Sequence, residues 1–335
     1  VGDISQIAGI RSYTLNDGRA KGVEAFDVKT GSGLTYTVLK DRALDIAWMD
    51  YNGYAIGFIN KGGISHPKYY QPYGVEWLRT FNGGVVTTCG LTNVGPSQEG
   101  NMELKGLHGR ISNTPSYEVA YSHNWIGDDL ILKIEGKSNE SVLFSENLTL
   151  HRTIITKGGE NKLKLVDEIT NDGFDMAPLM LLYHMNIGFP VVSENSLFVA
   201  PILWTKARDE EAQKGLEVAK TFERPTPKYR EQVFFHRVAA DMDGNTCVGL
   251  INDSLNIGFY ISYNTQDLPL LTQWKMMGEQ DYVVGIEPGN CHPIGYEEAK
   301  KKDQLEMLAP GTVKRVEIEL GVLTTWEEIQ QFKDH

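Results

Sequence analysis

Three short stretches place proton-exchanging side chains where their neighbours would keep water away. In Met180-Leu181-Leu182-Tyr183-His184-Met185-Asn186-Ile187-Gly188, His184 and Asn186 are two residues apart, so on an extended strand they share a face. The apolar flank would desolvate the imidazole and move its pKa, which suits a proton donor or acceptor. In Tyr282-Val283-Val284-Gly285-Ile286-Glu287-Pro288-Gly289-Asn290, Glu287 closes an apolar run, where a carboxylate costs free energy unless paired or wet. Pro288 biases Glu287 towards extended backbone, so its side chain projects from a strand end. In Gly106-Leu107-His108-Gly109-Arg110, glycines on both sides let backbone and ligand approach the imidazole. Each stretch also has a plainer reading: a turn histidine at 108, a core histidine at 184, a surface glutamate at 287.

Weaker candidates surround these. Arg79 lies among aromatic residues in Trp77-Leu78-Arg79-Thr80-Phe81-Asn82-Gly83-Gly84, and its guanidinium offers a rigid fork of donors for hydroxyls or carboxylates. Arg42 and Asp45, in Asp41-Arg42-Ala43-Leu44-Asp45, could bind a ligand or form self-paired surface salt bridges. Trp274 with Lys275, and Glu231 with His236, carry less signal; a tryptophan can floor a sugar site or fill a core. No Gly-x-Gly-x-x-Gly strand-to-helix turn, Gly-x-Ser-x-Gly, His-Glu-x-x-His or EF-hand loop is present, so no cofactor is expected. Cys89, Cys247 and Cys291 lack metal-ligand spacing.

The elements that must hold these residues read as strands. Lys162–Ile169, Val313–Val322 and Leu130–Gly136 alternate with period two, and the run from Ser141 to Thr156 continues the pattern up to Gly158-Gly159. Cys247–Ile251 and Ile257–Tyr263 follow, separated by turn clusters such as Asn171-Asp172-Gly173 and Asp243-Gly244-Asn245. Helical signals are few. Thr325-Trp326-Glu327-Glu328 is a capping box opening a C-terminal helix, and Lys206–Ala219 is either a helix or an acidic excursion. The pattern predicts an all-β fold, a large antiparallel β-sandwich with a few short helices, forming one domain over residues 1–335.

Composition excludes several partners. The 335 residues carry 32 basic and 44 acidic side chains, a net charge of −12, which argues against nucleic acid. No apolar run approaches the roughly 18 residues of a membrane span. The N-terminus lacks a basic stretch followed by an apolar one. With three scattered cysteines, these features predict a reduced, cytoplasmic, soluble protein, with a homodimer left open.

In order along the chain, the three principal stretches resemble the aldose 1-epimerase (galactose mutarotase-like) superfamily, and most closely its aldose 1-epimerase-like branch. Leu107-His108-Gly109 looks like that family's Leu-His-Gly segment, which supplies a substrate-contacting histidine. Tyr183-His184-Met185-Asn186 sits where the family has Asn-His-Ser-Tyr-Phe-Asn, and Ile286-Glu287-Pro288-Gly289-Asn290 resembles Leu-Glu-Thr-Gln-Asn. Asp41–Ile46 and Gly83–Leu91 extend the resemblance over most of the chain. Met185 and Ile187 replace the aromatic residues beside the histidine, and Gly289 replaces a glutamine. Arg79 and Arg42 compete for an upstream arginine role, with Arg79 favoured; the family's sugar-gripping aspartate has no clean match, and Glu231 is its nearest substitute. The resemblance implies a super-β-sandwich that interconverts sugar anomers, with Glu287 as base at the anomeric hydroxyl and His184, as imidazolium, the acid at the ring oxygen. His108, Arg79, Arg42, Asp45, Asn186, Glu231, His236, Trp274 and Lys275 are then the candidate substrate-binding residues. Two other readings are a non-catalytic carbohydrate-binding or sensing module, and a metal-dependent hydrolase or isomerase with His108, His184 and Glu287 as ligands.

Overall fold

Alternation in the sequence becomes alternation in burial. Along Asp129–Ser141 every second residue is buried, and Asn147–Lys157 repeats the pattern, because a pleated strand with one face on a core must bury residues at a spacing of two. The computed structural model describes residues 1–99 and 104–334. Its paired strands are antiparallel and fall into an eight-stranded, a seven-stranded and a five-stranded sheet, with a small two-stranded ribbon.

The eight-stranded sheet runs, edge to edge, through Ser196–Val199, Asn245–Asn252, Ile257–Asn264, Val313–Leu323, Lys162–Asn171, Asn147–Lys157, Asp129–Ser141 and Tyr117–Ile126. The seven-stranded sheet orders Ile202–Ala207, Gln232–Val238, Leu270–Met277, Tyr282–Gly289, Ala177–Gly188 and Glu306–Leu308, and Thr87–Leu91 also pairs with Ala177–Gly188. The main core lies between the sheets. Leu132, Ile134, Leu150 and Leu165 meet Leu181, Tyr183, Met185, Val284 and Ile286 there, with Phe26, Tyr36 and Ile46 from the five-stranded sheet. This is the large antiparallel β-sandwich that the alternation predicts.

Two expected elements are redrawn. The run from Ser141 to Thr156 is interrupted, since Val142 N–H bonds Glu146 O (3.0 Å) and closes a turn before the chain resumes at Asn147. Lys206–Ala219 divides into the end of a strand, a short helix Glu210–Lys214 capped by Asp209, and a 3₁₀ turn Leu216–Val218. At the C-terminus the capping box is present, and Thr325 opens the helix Trp326–Lys333. All three cysteines are free thiols. Among the described residues no helix is long and apolar enough to cross a membrane.

The central strands of the seven-stranded sheet, Ala177–Gly188 and Tyr282–Gly289, are buried on both faces. Leu181, Tyr183, Met185 and Ile187 point into the main core, while Met180 and Leu182 on the opposite face pack with Trp77, Phe81, Cys89, Val94 and Cys291. This second layer roofs the face that carries His184.

Candidate active site

Strand register assembles the site. The pairs Leu182↔Gly289, Met185↔Ile286 and Asn186↔Gly285 set His184 opposite Glu287. On the far side Glu287 pairs with Thr272 and Gly285 with Trp274, while His184 pairs with Thr87. Thr87, His184, Glu287 and Thr272 thus form a row across the sheet on its roofed face. His184 Nε2 and Glu287 Oε1 are 3.2 Å apart, with both residues buried, although Oε1 has no aligned hydrogen-bond donor. Glycine makes room for the pair: a Cβ on Gly285 would lie 2.5 Å from Glu287 Oε1 and 3.2 Å from His184 Cε1.

His108 arrives from the roof. Its backbone is left-handed at φ 54°. His108 N–H donates to Gly95 O (2.9 Å), and His108 O accepts from Gly90 N–H (3.0 Å). The next residue, Gly109, also has positive φ, and a Cβ there would sit 2.1 Å from Gly90 O, so only glycine closes this turn. The His108 ring lies 5.8 Å from that of His184. Trp77 flanks His108 at 5.0 Å, and Phe81 and Trp274 flank His184 at 5.3 and 5.4 Å.

This wall of aromatic and aliphatic groups governs the electrostatics. Burial pushes His108 down to about 4 and His184 down to about 3. For His184, the neighbouring His108 adds to the depression and the Asn186 amide opposes it. Burial also holds the Glu287 carboxyl well above its usual range; the negative charge of Glu231 adds to this and Arg208 opposes it. The surroundings therefore favour a carboxylic acid facing a neutral imidazole over a carboxylate facing an imidazolium. Buried polar atoms without hydrogen-bond partners collect here: His184 Nδ1, His108 Nδ1, Asn186 Oδ1, Glu287 Oε1, Thr272 Oγ1 and Trp77 Nε1. Such an atom costs about 1–3 kcal/mol, so their concentration on one face points to a ligand that supplies the missing bonds.

The other predicted residues divide. Asn186 is beside the pair, and its Nδ2 donates to Gly84 O (2.9 Å) and His184 O (2.8 Å), bracing the His184 backbone. Trp274 forms a wall, and its indole N–H donates to Glu231 Oε2 (2.9 Å); Glu231 is exposed at the rim and also pairs with Arg208 (3.0 Å). The remaining five are not brought to the pair. Arg79 is exposed and paired with Glu76 at 2.8 Å. Arg42 is buried and donates to Ser65 O (2.9 Å), so it neither reaches the pair nor forms a surface salt bridge with Asp45. Asp45 is also buried and binds Arg152 (2.7 Å) and Thr88 (2.6 Å). His236 and Lys275 lie on the reverse face of the sheet, His236 between Thr205 and Gln273 (both 2.9 Å), Lys275 on Glu223 (2.9 Å) and Val218 O (3.1 Å).

Sequence reasoning passed over Thr272, Phe81 and Trp77 as site walls. Thr272 was within reach, since it is two residues before Trp274 on the same strand face. Arg152 was also passed over. It bonds Asp167 through two nitrogens (2.8 and 2.7 Å), Asp45 and Thr88, and Tyr183 Oη donates to Asp167 (2.7 Å). This buried network braces the strands of Thr87 and His184 from behind. Among the described residues no group of three or more His, Cys, Asp or Glu is arranged to hold a metal ion.

Residues 20–322 match the family described as "Domain of unknown function (DUF4432)". The chain belongs to that family. No curated protein matches it. Among solved structures, this DUF4432 chain is similar to a Klebsiella pneumoniae protein provisionally described as an aldose 1-epimerase, at TM-score 0.91 and 24% identity over 97% of this chain and 86% of that one. A galactose mutarotase-like protein from Clostridium acetobutylicum gives 0.64 and 14% over 96% and 100% of the two chains. Galactose 1-epimerase from Lactobacillus acidophilus gives 0.61 and 11% over 94% and 98%. The fold is therefore galactose mutarotase-like, as the ordered motifs implied.

Proposed function

We propose that this DUF4432 protein interconverts the anomers of a sugar by acid–base ring opening between His184 and Glu287. The observation that carries the reading is this buried pair at 3.2 Å, surrounded by unpartnered polar atoms and aromatic rings. Ring opening removes a proton from the anomeric hydroxyl and delivers one to the ring oxygen, ideally without building full charge on either. Those two oxygens share one carbon, so donor and acceptor must themselves be close neighbours.

The acidic proton of this pair supplies both roles. With the proton on His184, Glu287 is the base at the anomeric hydroxyl and His184 the acid at the ring oxygen. A substrate hydroxyl donating to the carboxylate favours that distribution over the neutral one preferred in the free site. Rotation beside the anomeric carbon followed by reclosure exchanges the two roles. His108 and Thr272 offer hydrogen-bonding atoms for sugar hydroxyls, and Trp77, Phe81 and Trp274 supply apolar surface for a sugar ring.

The test is NMR exchange between anomers across hexoses, pentoses, deoxy sugars and acidic sugars. Acceleration of at least one is expected; folded protein that accelerates none refutes the reading. Glu287→Gln should cost about 10²–10⁴-fold in rate while calorimetry still detects sugar. A second reading, carbohydrate binding without turnover, draws on the missing hydrogen-bond alignment between His184 and Glu287; binding with no anomer exchange would establish it.

A further inference from the structure

Four large apolar side chains are gathered on two adjacent turns. Leu143 and Phe144 are 78% and 87% exposed between the strands Asp129–Ser141 and Asn147–Lys157. Phe174 and Met176 are 98% and 53% exposed between Lys162–Asn171 and Ala177–Gly188. Asp172 N–H donates to Asn147 O (2.9 Å) and ties the turns together. Met307, 44% exposed and paired with Pro178, continues the patch.

These rings are held in place. Ser145 N–H bonds Val142 O (3.0 Å) and Gly173 N–H bonds Asn171 Oδ1 (3.0 Å), so hydrogen-bonded backbone presents both phenylalanines. Phe144 has φ 69°, a left-handed conformation that is costly for a bulky residue and natural for glycine. Between the turns opens a groove of about 1030 Å³, walled by Phe144 and Phe174 themselves together with Asn171, Ala177, Pro178 and Tyr296.

We propose that this patch is a self-association surface, a two-fold contact in which Phe144 and Phe174 of one copy enter the groove of another. A two-fold interface must be complementary to itself, and here projecting rings and a receiving groove share one patch. Covering the four side chains on the turns removes on the order of 600 Å² per copy, most of the roughly 800 Å² that each partner gives to a standard interface. Acidic side chains outnumber basic ones along the groove, with Asp172, Asp175 and Glu297 beside Lys300, so burial of the apolar side chains, not charge pairing, must drive the contact. Two chains of net charge −12 repel each other, so screening salt should strengthen the contact, whereas it would weaken docking of a basic partner.

The test is sedimentation equilibrium of the full chain. Wild type should show twice the 37.5 kDa chain mass, with tighter association at higher salt. Phe144→Glu combined with Phe174→Glu should weaken association at least 100-fold while leaving any sugar anomerisation unchanged, since Pro178 lies roughly 20 Å along its strand from His184. Hydrogen exchange on wild type needs no variant: residues 143–144 and 174–176 should gain protection as concentration rises. A wild-type monomer at about 100 μM, or a dimer that the double substitution and the exchange data place elsewhere, overturns the proposal.

Discussion

Gly285→Ala tests the site with a single methyl group. The backbone at Gly285 is not left-handed, so alanine meets no torsional barrier and the effect is one of space. The new Cβ would lie 2.5 Å from Glu287 Oε1, where ordinary contact begins at 3.4 Å, and 3.1 and 3.2 Å from Trp274 Cβ and His184 Cε1. The Glu287 carboxyl must therefore yield by about 0.9 Å. Overpacking of this kind costs about 1–3 kcal/mol, partly offset by the smaller chain entropy of alanine in the unfolded state. Displacement of a reacting group by about an ångström costs on the order of 10²-fold in rate. Urea unfolding should show a lower midpoint at unchanged slope, and NMR anomer exchange should slow by that factor. Wild-type exchange by a folded Gly285→Ala variant would refute the assignment of the His184–Glu287 gap as the reacting centre.

Three further outcomes follow. Acid should destabilise the fold below about pH 6.5: His108, His236 and His292 are lowered to about 4 and His184 to about 3, so they stay neutral when folded while the unfolded chain takes up protons. Raised Glu287 and Asp45 act oppositely, their contribution to stability fading as pH rises above the unfolded carboxyl range. Each lowered histidine contributes at most about 1.4 kcal/mol per pH unit, and the four together outweigh the carboxyls; urea titrations at several pH values should find stability falling as pH is lowered, and His108→Gln should flatten the slope. Arg152→Ala should cost about 3–5 kcal/mol by stranding the buried Asp167 and Asp45, and Asp45→Asn with Asp167→Asn in that background should restore part of the loss in a thermal melt. Tyr183→Phe removes one bond to Asp167 and should cost only about 1 kcal/mol.

Much of the fold was legible because strand alternation is a local property. Lys162–Asn171, Val313–Leu323 and the capped C-terminal helix stand where the residue pattern places them. The break at Val142–Glu146 was hidden, because Leu143 and Phe144 look like strand residues yet face solvent at a turn tip.

Within the site, residue chemistry alone singled out His108, His184 and Glu287. The same period of two limits the wider set: Trp274 and Lys275 are consecutive, so they cannot share a face, and Lys275 indeed points behind the sheet to Glu223. Which chain segments lie side by side is a different kind of fact. The register that brings His184 within 3.2 Å of Glu287, the roof that desolvates both, and the diversion of Asp45 to Arg152 depend on contacts between residues far apart in the chain. The sequence by itself determined which side chains could move protons and which strands would carry them. Only tertiary packing decided which of those groups meet, and how burial sets their charge.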